Sequence, residues 1–238
     1  MTLAEAMRPI RPGLWWWTVP HPDWRPWDPT TGTGWDWSPE AGCVCYEGPQ
    51  GLVLIDPLTP AADTPAHEVF WRALDDEVRR QDRPLTVLLT CDWHERSAQA
   101  ICDRYQARYG ASLWGPAVCA TRGSSGGYAC RPTHTFDVGD ALPGGAEAYL
   151  AAWNPEVLLY LPGSRALFVA DSLWSPPDSE SETAIHLTVE EARPVLGQIL
   201  ETRSVEVLLL SHCLVVSQGA HEALTRLLEQ PARPPWGR

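Results

Sequence analysis

The sequence predicts one layered domain of the α/β or α+β type, in which helices cover β-sheets. Its 238 residues are many for an all-helical domain but ordinary for such a layered fold. With 44% apolar and 20% charged residues, the chain can bury a substantial core. Short β-rich runs alternate with amphipathic helical segments, and no apolar run approaches the roughly 18 residues that span a bilayer. A soluble protein without a membrane partner is therefore expected.

Charge and cysteine content restrict the partners and the compartment. The formal net charge is −12, and the 18 basic residues, all arginine, are scattered along the chain. A nucleic-acid partner is not expected, because binding one usually requires a clustered basic surface. Residues 1–13 lack the apolar core of a secretory signal, which predicts a cytoplasmic protein. Because the cytoplasm keeps thiols reduced, the seven cysteines, which include no Cys-x-x-Cys pair, are expected to be free thiols.

The order of elements is predicted from periodicity and turn residues. A helix should cover 65–81, since Thr64 suits the N-cap and Pro65 the first turn. Further helices are predicted over 97–109 and 220–230, and another should begin at the capping box Thr188–Glu191 and run to about residue 201. Strands are predicted at 13–19, 43–47, 51–56, 85–90, 117–120, 135–138, 146–152, 157–161, 166–170 and 205–210.

Residues 20–39 form a proline- and tryptophan-rich segment without periodicity. About twenty residues without regular structure are unusual in a compact domain, which favours a functional lid or a poorly ordered arm. Seven of the 13 tryptophans lie between positions 15 and 37. On the first strand Trp15 and Trp17 would face one side and Trp16 the other, so at least one of these rings should be core. A short tail, 231–238, follows the last predicted helix.

Four features in this order resemble the metallo-β-lactamase superfamily. A strand ends in Asp56, a buried strand runs into the polar hexad Cys91–Arg96, a later strand ends in Asp171, and the last strand ends in His212. The resemblance extends from about residue 13 to residue 230 as a single domain within 1–238. It implies an α+β fold, a four-layer αββα sandwich of two mixed sheets flanked by helices, with the active site along one edge.

The metal motif of the family is degenerate in this sequence. Members have His-x-His-x-Asp-His in the hexad, a mid-chain His, a bridging Asp and a C-terminal His, of which the resemblance carries over Asp171 and His212. Residues 152–156, which include no histidine, occupy the position of the family's mid-chain His. In direct register the four ligand positions of the hexad hold Cys91, Trp93, Glu95 and Arg96. Because indole has no free lone pair for a metal and arginine stays protonated, a normal dizinc centre is not expected.

Two arrangements of the remaining polar residues stay open. With the register slipped by one, a single zinc, iron or manganese ion would be held by some combination of Asp92, His94, Asp171 and His212. Alternatively no metal binds, and Arg96 makes bidentate bonds to the carboxylates of Asp171 and Glu95. In that route His94 or His212 would be the general base. The candidate catalytic residues are His94, Asp171, His212 and Arg96, although a lone His after a strand is more often structural.

The tryptophans predict a pocket where the dizinc site of relatives would be. Exposed aromatic clusters pack on their own chain, bind a flat apolar or cationic ligand, or form a subunit contact. Three of the rings lie beside positions where relatives have metal ligands. The predicted substrate-binding residues are Trp24, Trp35, Trp93, Trp153 and Trp174.

Two other catalytic patterns are weaker. Residues 123–127 match the Gly-x-Ser-x-Gly string of a nucleophile elbow, but Pro132 opposes the helix that must follow, which favours a loop. Cys91 would be a thiolate nucleophile if it met His94, although a small buried cysteine is the more common case.

Three functions from different classes remain. The first is a divergent hydrolase that acts on a small ester, thioester, lactone or amide, with no cofactor or one divalent metal. The second is a non-catalytic or repurposed member that binds a small molecule. The third is an interaction protein, such as a homodimer, that uses residues 20–39 as its contact. Metal content and the oligomeric state after deletion of that segment would separate them.

Overall fold

Two mixed β-sheets pack face to face in the computed structural model, which describes residues 1–122, 127–152, 155–176, 184–212 and 214–235. Within these residues the first sheet has seven strands in chain order, the first four pairing antiparallel and the last four parallel. They are β1 (Arg8–Arg11), β2 (Leu14–Pro20), β3 (Glu40–Gly48), β4 (Gly51–Ile55), β5 (Leu85–Leu88), β6 (Ser112–Pro116) and β7 (His134–Phe136).

The second sheet comes from the other half of the chain. Its strands are β8 (Glu147–Leu150), β9 (Val157–Leu161), β10 (Ala166–Val169), β13 (Val207–Leu210) and β14 (Leu214–Val216), and a short hairpin joins β11 (Leu173–Trp174) to β12 (His186–Leu187). The spatial order is β14-β13-β10-β9-β8, and β10 and β13 are parallel. The carboxyl ends of β10 and β13 therefore meet at one edge.

Helices cover the outer face of each sheet. They are α1 (Leu3–Ala6), α2 (Pro65–Gln81), α3 (Ala98–Tyr109), α4 (Ala117–Arg122), α5 (Arg193–Thr202) and α6 (Ala220–Leu228). Phe70 of α2 packs on the first sheet, Trp16 and Phe168 lie between the sheets, and Leu196 of α5 packs on the second. The predicted αββα sandwich is thus confirmed. Among the described helices, none is long and apolar enough to cross a membrane.

The local predictions hold where caps and alternation decide the structure. Thr64 accepts a hydrogen bond from the His67 N–H at 3.3 Å and therefore caps α2 as predicted. The helix covers Pro65–Gln81, the range predicted for it. Gly110 has φ +71° and ends α3 in the left-handed conformation that glycine adopts without penalty. Trp16 lies in the core between the sheets, whereas Trp17 faces the helices. The alternation of the first strand is therefore as predicted.

Two predicted elements are wrong. Residues 117–120 form α4 instead of a strand, and the strand is β6 just before it, whose Gly115 and Pro116 obscured the pattern. The sequence at Thr188 is not a capping box, because its hydroxyl donates to the Asp171 carbonyl at 2.5 Å. A short 3₁₀ turn over Glu190–Ala192 follows, and α5 begins only at Arg193. The Thr188 hydroxyl holds the backbone at Asp171 instead of starting a helix.

The two sheets approach each other closely at Gly42, near the functional edge. Its N–H donates to the Ser211 carbonyl at 2.7 Å, and a Cβ there would lie 2.0 Å from the Trp16 ring and 2.7 Å from the Leu210 carbonyl oxygen. Gly42→Ala should lower the free energy of unfolding by about 1–3 kcal/mol through overpacking. Gly197→Ala on α5, where a Cβ meets nothing within 4 Å, is the matched control and should be neutral or stabilising in urea denaturation. Equal stability of the two variants would contradict this packing.

Candidate active site

Asp56 anchors the loop that follows β5. Its side chain is fully buried, with Oδ1 accepting from the Thr90 N–H at 2.9 Å and Oδ2 from the Thr90 hydroxyl at 2.5 Å. Oδ2 also lies 2.9 Å from His94 Nδ1, a contact in which the imidazole donates to the carboxylate. Asp56 has φ +44°, a left-handed conformation that Asp tolerates better than most residues. Sequence reasoning recognised Asp56 only as the end of a strand and missed its role in orienting His94.

Asp171 joins the two histidines that were predicted as candidate catalytic residues. Its Oδ1 lies 2.7 Å from His212 Nε2 and 3.5 Å from His94 Nε2. Its Oδ2 accepts from the Trp93 indole N–H at 2.5 Å. Three of the four proposed ligand positions, His94, Asp171 and His212, therefore come together in direct contact.

Glu156 supports the turn that carries Asp171. It is fully buried, and its carboxylate accepts from the Ala170 N–H at 3.1 Å and from the Ser172 hydroxyl at 3.0 Å. Burial and the charge of Asp171 raise the pKa of Glu156 to about 8, against these two hydrogen bonds, which lower it. Glu156 thus binds both neighbours of Asp171, a role that its position in the sequence did not reveal.

The two histidines differ in protonation. Burial and the Arg96 charge lower the pKa of His94, but the carboxylates of Asp171 and Asp56 outweigh them and raise it to about 9. Burial lowers the pKa of His212 despite its hydrogen bond to Asp171. Burial raises the pKa of Asp171, but the His94 charge and the hydrogen bonds hold it well below its usual range. At neutral pH, His94 is therefore an imidazolium, His212 a neutral imidazole and Asp171 a carboxylate.

Arg96 does not pair with the carboxylates as predicted. Its Nη1 donates to the Asp56 carbonyl at 3.0 Å and its Nη2 to the Ser211 hydroxyl at 2.9 Å. Glu95 turns away and accepts from the Cys130 N–H at 3.0 Å. The expected bidentate bonds of Arg96 to Asp171 and Glu95 are thus wrong. Arg96 has φ +41°, a left-handed backbone conformation. Its guanidinium links the two sheets, because Asp56 follows β4 of the first sheet and Ser211 follows β13 of the second.

The other hexad residues lie away from these contacts. Asp92 is buried beside Cys119 and Tyr128, and its charge contributes to raising the pKa of both. Cys91 is fully buried, and burial together with nearby carboxylates raises the pKa of its thiol well above the usual value. Cys91 is therefore a small buried cysteine and not a thiolate nucleophile.

A cavity of about 760 Å³ opens above Asp171 and the two histidines. Trp35, Trp93 and Trp174, three of the predicted substrate-binding residues, line it together with Trp27 and Trp37, which sequence reasoning had not selected. Trp24 contributes indirectly, because its indole N–H donates to the Trp37 carbonyl at 2.9 Å. The predicted residue Trp153, like residues 123–126 of the elbow motif, lies outside the described residues. Other lining residues include His21, Asp23, Gly32, Thr33, Gly34 and Pro235.

Residues 20–39, the predicted lid, line one side of this cavity. The base of the lid is closed by a hydrogen bond from the His21 N–H to the Pro39 carbonyl at 2.8 Å. The Trp37 ring lies on the His212 imidazole with centroids 4.2 Å apart. The tail adjoins this segment, since the Asp36 N–H donates to the Pro235 carbonyl at 3.2 Å, and Pro235 also lines the cavity. That the segment acts as a lid stays a prediction.

Comparisons of the fold give a consistent result, although neither a protein-family model nor a curated protein matches the sequence. The structure is similar to a metallo-β-lactamase from Pontibacter korlensis, with a TM-score of 0.58 and 16% identity over 94% of this chain and 98% of that one. It is also similar to the metallo-β-lactamase FIM-1 from Pseudomonas aeruginosa in its mono-zinc form, with a TM-score of 0.61 and 12% identity over 94% of each chain. This chain has the metallo-β-lactamase fold.

A third structure with this fold, a β-lactamase domain protein from Burkholderia ambifaria, aligns with a TM-score of 0.60 and 16% identity over 95% of this chain and 73% of that one. At such identities the likeness describes the backbone alone. Whether this metallo-β-lactamase fold carries the metals implied by its name depends on the donor atoms at the site.

The residues at the metal position of this metallo-β-lactamase fold do not fit a metal ion. Among the described residues, no group of three or more His, Cys, Asp or Glu side chains is arranged to hold one. Metal ligands must offer deprotonated donors with free lone pairs. Instead both nitrogens of His94 face carboxylates, and Asp171 accepts from an indole as well as from imidazole. These contacts engage the donor atoms of His94 and Asp171 that a dizinc centre or the single-metal set would use.

Proposed function

We propose that this protein is a metal-independent hydrolase that cleaves a small ester, thioester, lactone or amide by acid–base catalysis. The observation that supports this function is the position of His94 and His212 on one Asp171 oxygen at the floor of the cavity. Two titratable groups that a shared site drives to opposite protonation states are suited to act as acid and base.

His212 is the general base. Its Nε2–H donates to Asp171, so Nδ1 carries the lone pair, and this buried atom has no hydrogen-bond partner within the described residues. In this mechanism Nδ1 takes a proton from water as the water oxygen bonds to the substrate carbonyl carbon. Because the Trp37 ring covers the imidazole, the lid must move to admit water and substrate.

His94 is the general acid. Its Nδ1–H stays on Asp56, while the contact of Nε2 with Asp171 is long at 3.5 Å, so this proton is the one that can be redirected to the leaving group. The bond from carbonyl carbon to leaving group breaks as the leaving group takes the His94 proton. Transfer of one proton from His212 to His94, through solvent, restores both residues. Three positioning residues support these groups. Asp56 orients His94, Glu156 holds the turn that carries Asp171, and Arg96 holds the loop that follows β5.

The activity can be tested with p-nitrophenyl acetate and phenyl thioacetate as probe substrates, each with and without EDTA. His212→Gln should lower kcat/KM by roughly 10²–10⁴-fold, the usual contribution of a general base, and EDTA should change nothing. His221→Gln on α6, a histidine outside the site, is the control and should retain activity. Inactivation by EDTA, or full activity of His212→Gln, would overturn the proposal. Binding of a probe without turnover would support the non-catalytic alternative instead.

The pH profile follows from the two pKa shifts. The base loses activity when His212 is protonated, so the acidic limb of kcat/KM should fall below pH 6.5, because its pKa is lowered. The acid loses activity when His94 is deprotonated, which should give a basic limb near pH 9. The limbs report macroscopic values of a coupled pair. His94→Gln should remove the basic limb, and a profile whose basic limb is unchanged in that variant would exclude His94 as the acid.

A further inference from the structure

We infer that the cavity selects a substrate that carries a small organic cation, such as a quaternary or tertiary ammonium group. The inference rests on the proposed function, since it takes the cavity above Asp171 as the substrate site. It adds the chemical class of the group that the cavity binds.

The walls of the cavity are indole rings from separate parts of the chain. Trp27, Trp35 and Trp37 come from the lid, Trp93 from the loop after β5, and Trp174 from the hairpin strand β11. The rings of Trp35 and Trp37 lie 5.6 Å apart and are tilted by 41°. Several indole rings line one space, as in the aromatic cages that recognise quaternary ammonium ions, because the ring quadrupole attracts a cation.

The charges around the cavity are complementary to a cation. The carboxylates of Asp23 and Asp171 line it, whereas no arginine is among its described lining residues, and the sequence contains no lysine. Burial and the Arg96 charge lower the pKa of His21 to about 4, so this histidine is neutral. His94 lies between the carboxylates of Asp56 and Asp171. The net charge of −12 also attracts cations from a distance.

Two indoles of this protein already have a cation near the ring. The guanidinium carbon of Arg104 lies 4.6 Å from the Trp71 ring centroid on the helical surface. That of Arg233, from the tail, lies 5.7 Å from the Trp174 ring. Because Arg233 already lies near the Trp174 ring, the ligand cation would lie beside the other four indoles, Trp27, Trp35, Trp37 and Trp93. The cavity volume of about 760 Å³ is within the ordinary range for small-molecule sites.

The test compares choline with its neutral isostere, 3,3-dimethylbutan-1-ol, by isothermal titration calorimetry on the full chain. Choline should bind at least about tenfold more tightly, a difference of about 1.4 kcal/mol. Trp35→Leu and Asp23→Asn should each weaken choline binding at least about threefold. Trp35 is 38% exposed, so its replacement should leave the fold intact by circular dichroism. Trp71→Leu removes an indole outside the cavity and should leave the choline affinity unchanged.

Any of three results would overturn the inference. These are equal or tighter binding of the neutral alcohol, absence of binding by either probe, and equal losses of choline affinity in Trp35→Leu and Trp71→Leu. Choline contains no bond that the enzyme would hydrolyse, so its binding is independent of turnover. Choline binding in a protein that hydrolyses no ester would overturn only the proposed hydrolase. Ester hydrolysis without preference for the cation would overturn only the cation site.

Discussion

Asp171→Asn should lower kcat/KM for the probe ester by roughly 10²–10⁴-fold, as large a loss as that expected for His212→Gln. The carboxylate fixes the tautomer of His212 by accepting from Nε2 at 2.7 Å and holds the indole N–H of Trp93 at 2.5 Å. An amide of the same size presents an N–H group to at least one of these donors. His212 would then lose the tautomer that leaves Nδ1 free to accept a proton.

The same substitution should also change the titration of His94. Without the Asp171 charge, only Asp56 opposes the burial and the Arg96 charge that lower the pKa of His94. The pKa of His94, followed by NMR of its ring protons, should therefore fall from about 9. Asp103→Asn on the exposed face of α3 is the matched control and should change neither kcat/KM nor this titration. Activity of Asp171→Asn within about threefold of the native protein would contradict the assigned role of the carboxylate.

Asp56→Ala should lower the free energy of unfolding by about 3–5 kcal/mol, because it removes one member of a buried charged pair. The Thr90 N–H and hydroxyl lose their acceptor, and the His94 imidazolium loses the carboxylate at 2.9 Å. A further cost arises because Asp56 has φ +44°, a conformation that alanine adopts poorly. Thermal unfolding should then occur at a temperature lower by about 2–4 °C for each kcal/mol.

Asp56→Asn separates the contributions to this loss. Asparagine tolerates the left-handed conformation and can still accept from Thr90, so it should be less destabilising than alanine. It lacks the negative charge, so the pKa of His94 should fall in this variant as well. A loss below about 1 kcal/mol for Asp56→Ala in urea denaturation would show that the Asp56–His94 pair does not support the fold.

The layers and the edge of the site were predicted through the family resemblance, which rests on strand ends. Asp56, Asp171 and His212 each lie within two residues of the end of a buried strand, and the topology of the fold brings those ends together. The role of Arg96 could not be predicted in this way. Its partners depend on the left-handed backbone at that residue, which turns the guanidinium towards Asp56 and Ser211, and residue type alone does not reveal that turn.

The lid illustrates a second limit of sequence reasoning. Composition indicated that residues 20–39 were unusual, but a segment without periodicity does not specify which rings face inward. Trp24 was selected and donates to the lid backbone, whereas Trp37 was not selected and covers His212. The contribution of the tail was also unexpected, because it depends on hydrogen bonds between distant segments, such as those from the Asp36 N–H to the Pro235 carbonyl and from the Arg233 N–H to the Leu187 carbonyl.

The central claim is that direct contacts among His94, Asp171 and His212 replace the metal centre implied by the fold. Elemental analysis of protein purified without chelators, repeated after incubation with zinc and gel filtration, tests it most directly. The native protein and Asp171→Ala should both contain well below about 0.1 equivalent of zinc, iron or manganese. About one equivalent of metal in the native protein, lost in Asp171→Ala, would contradict the account.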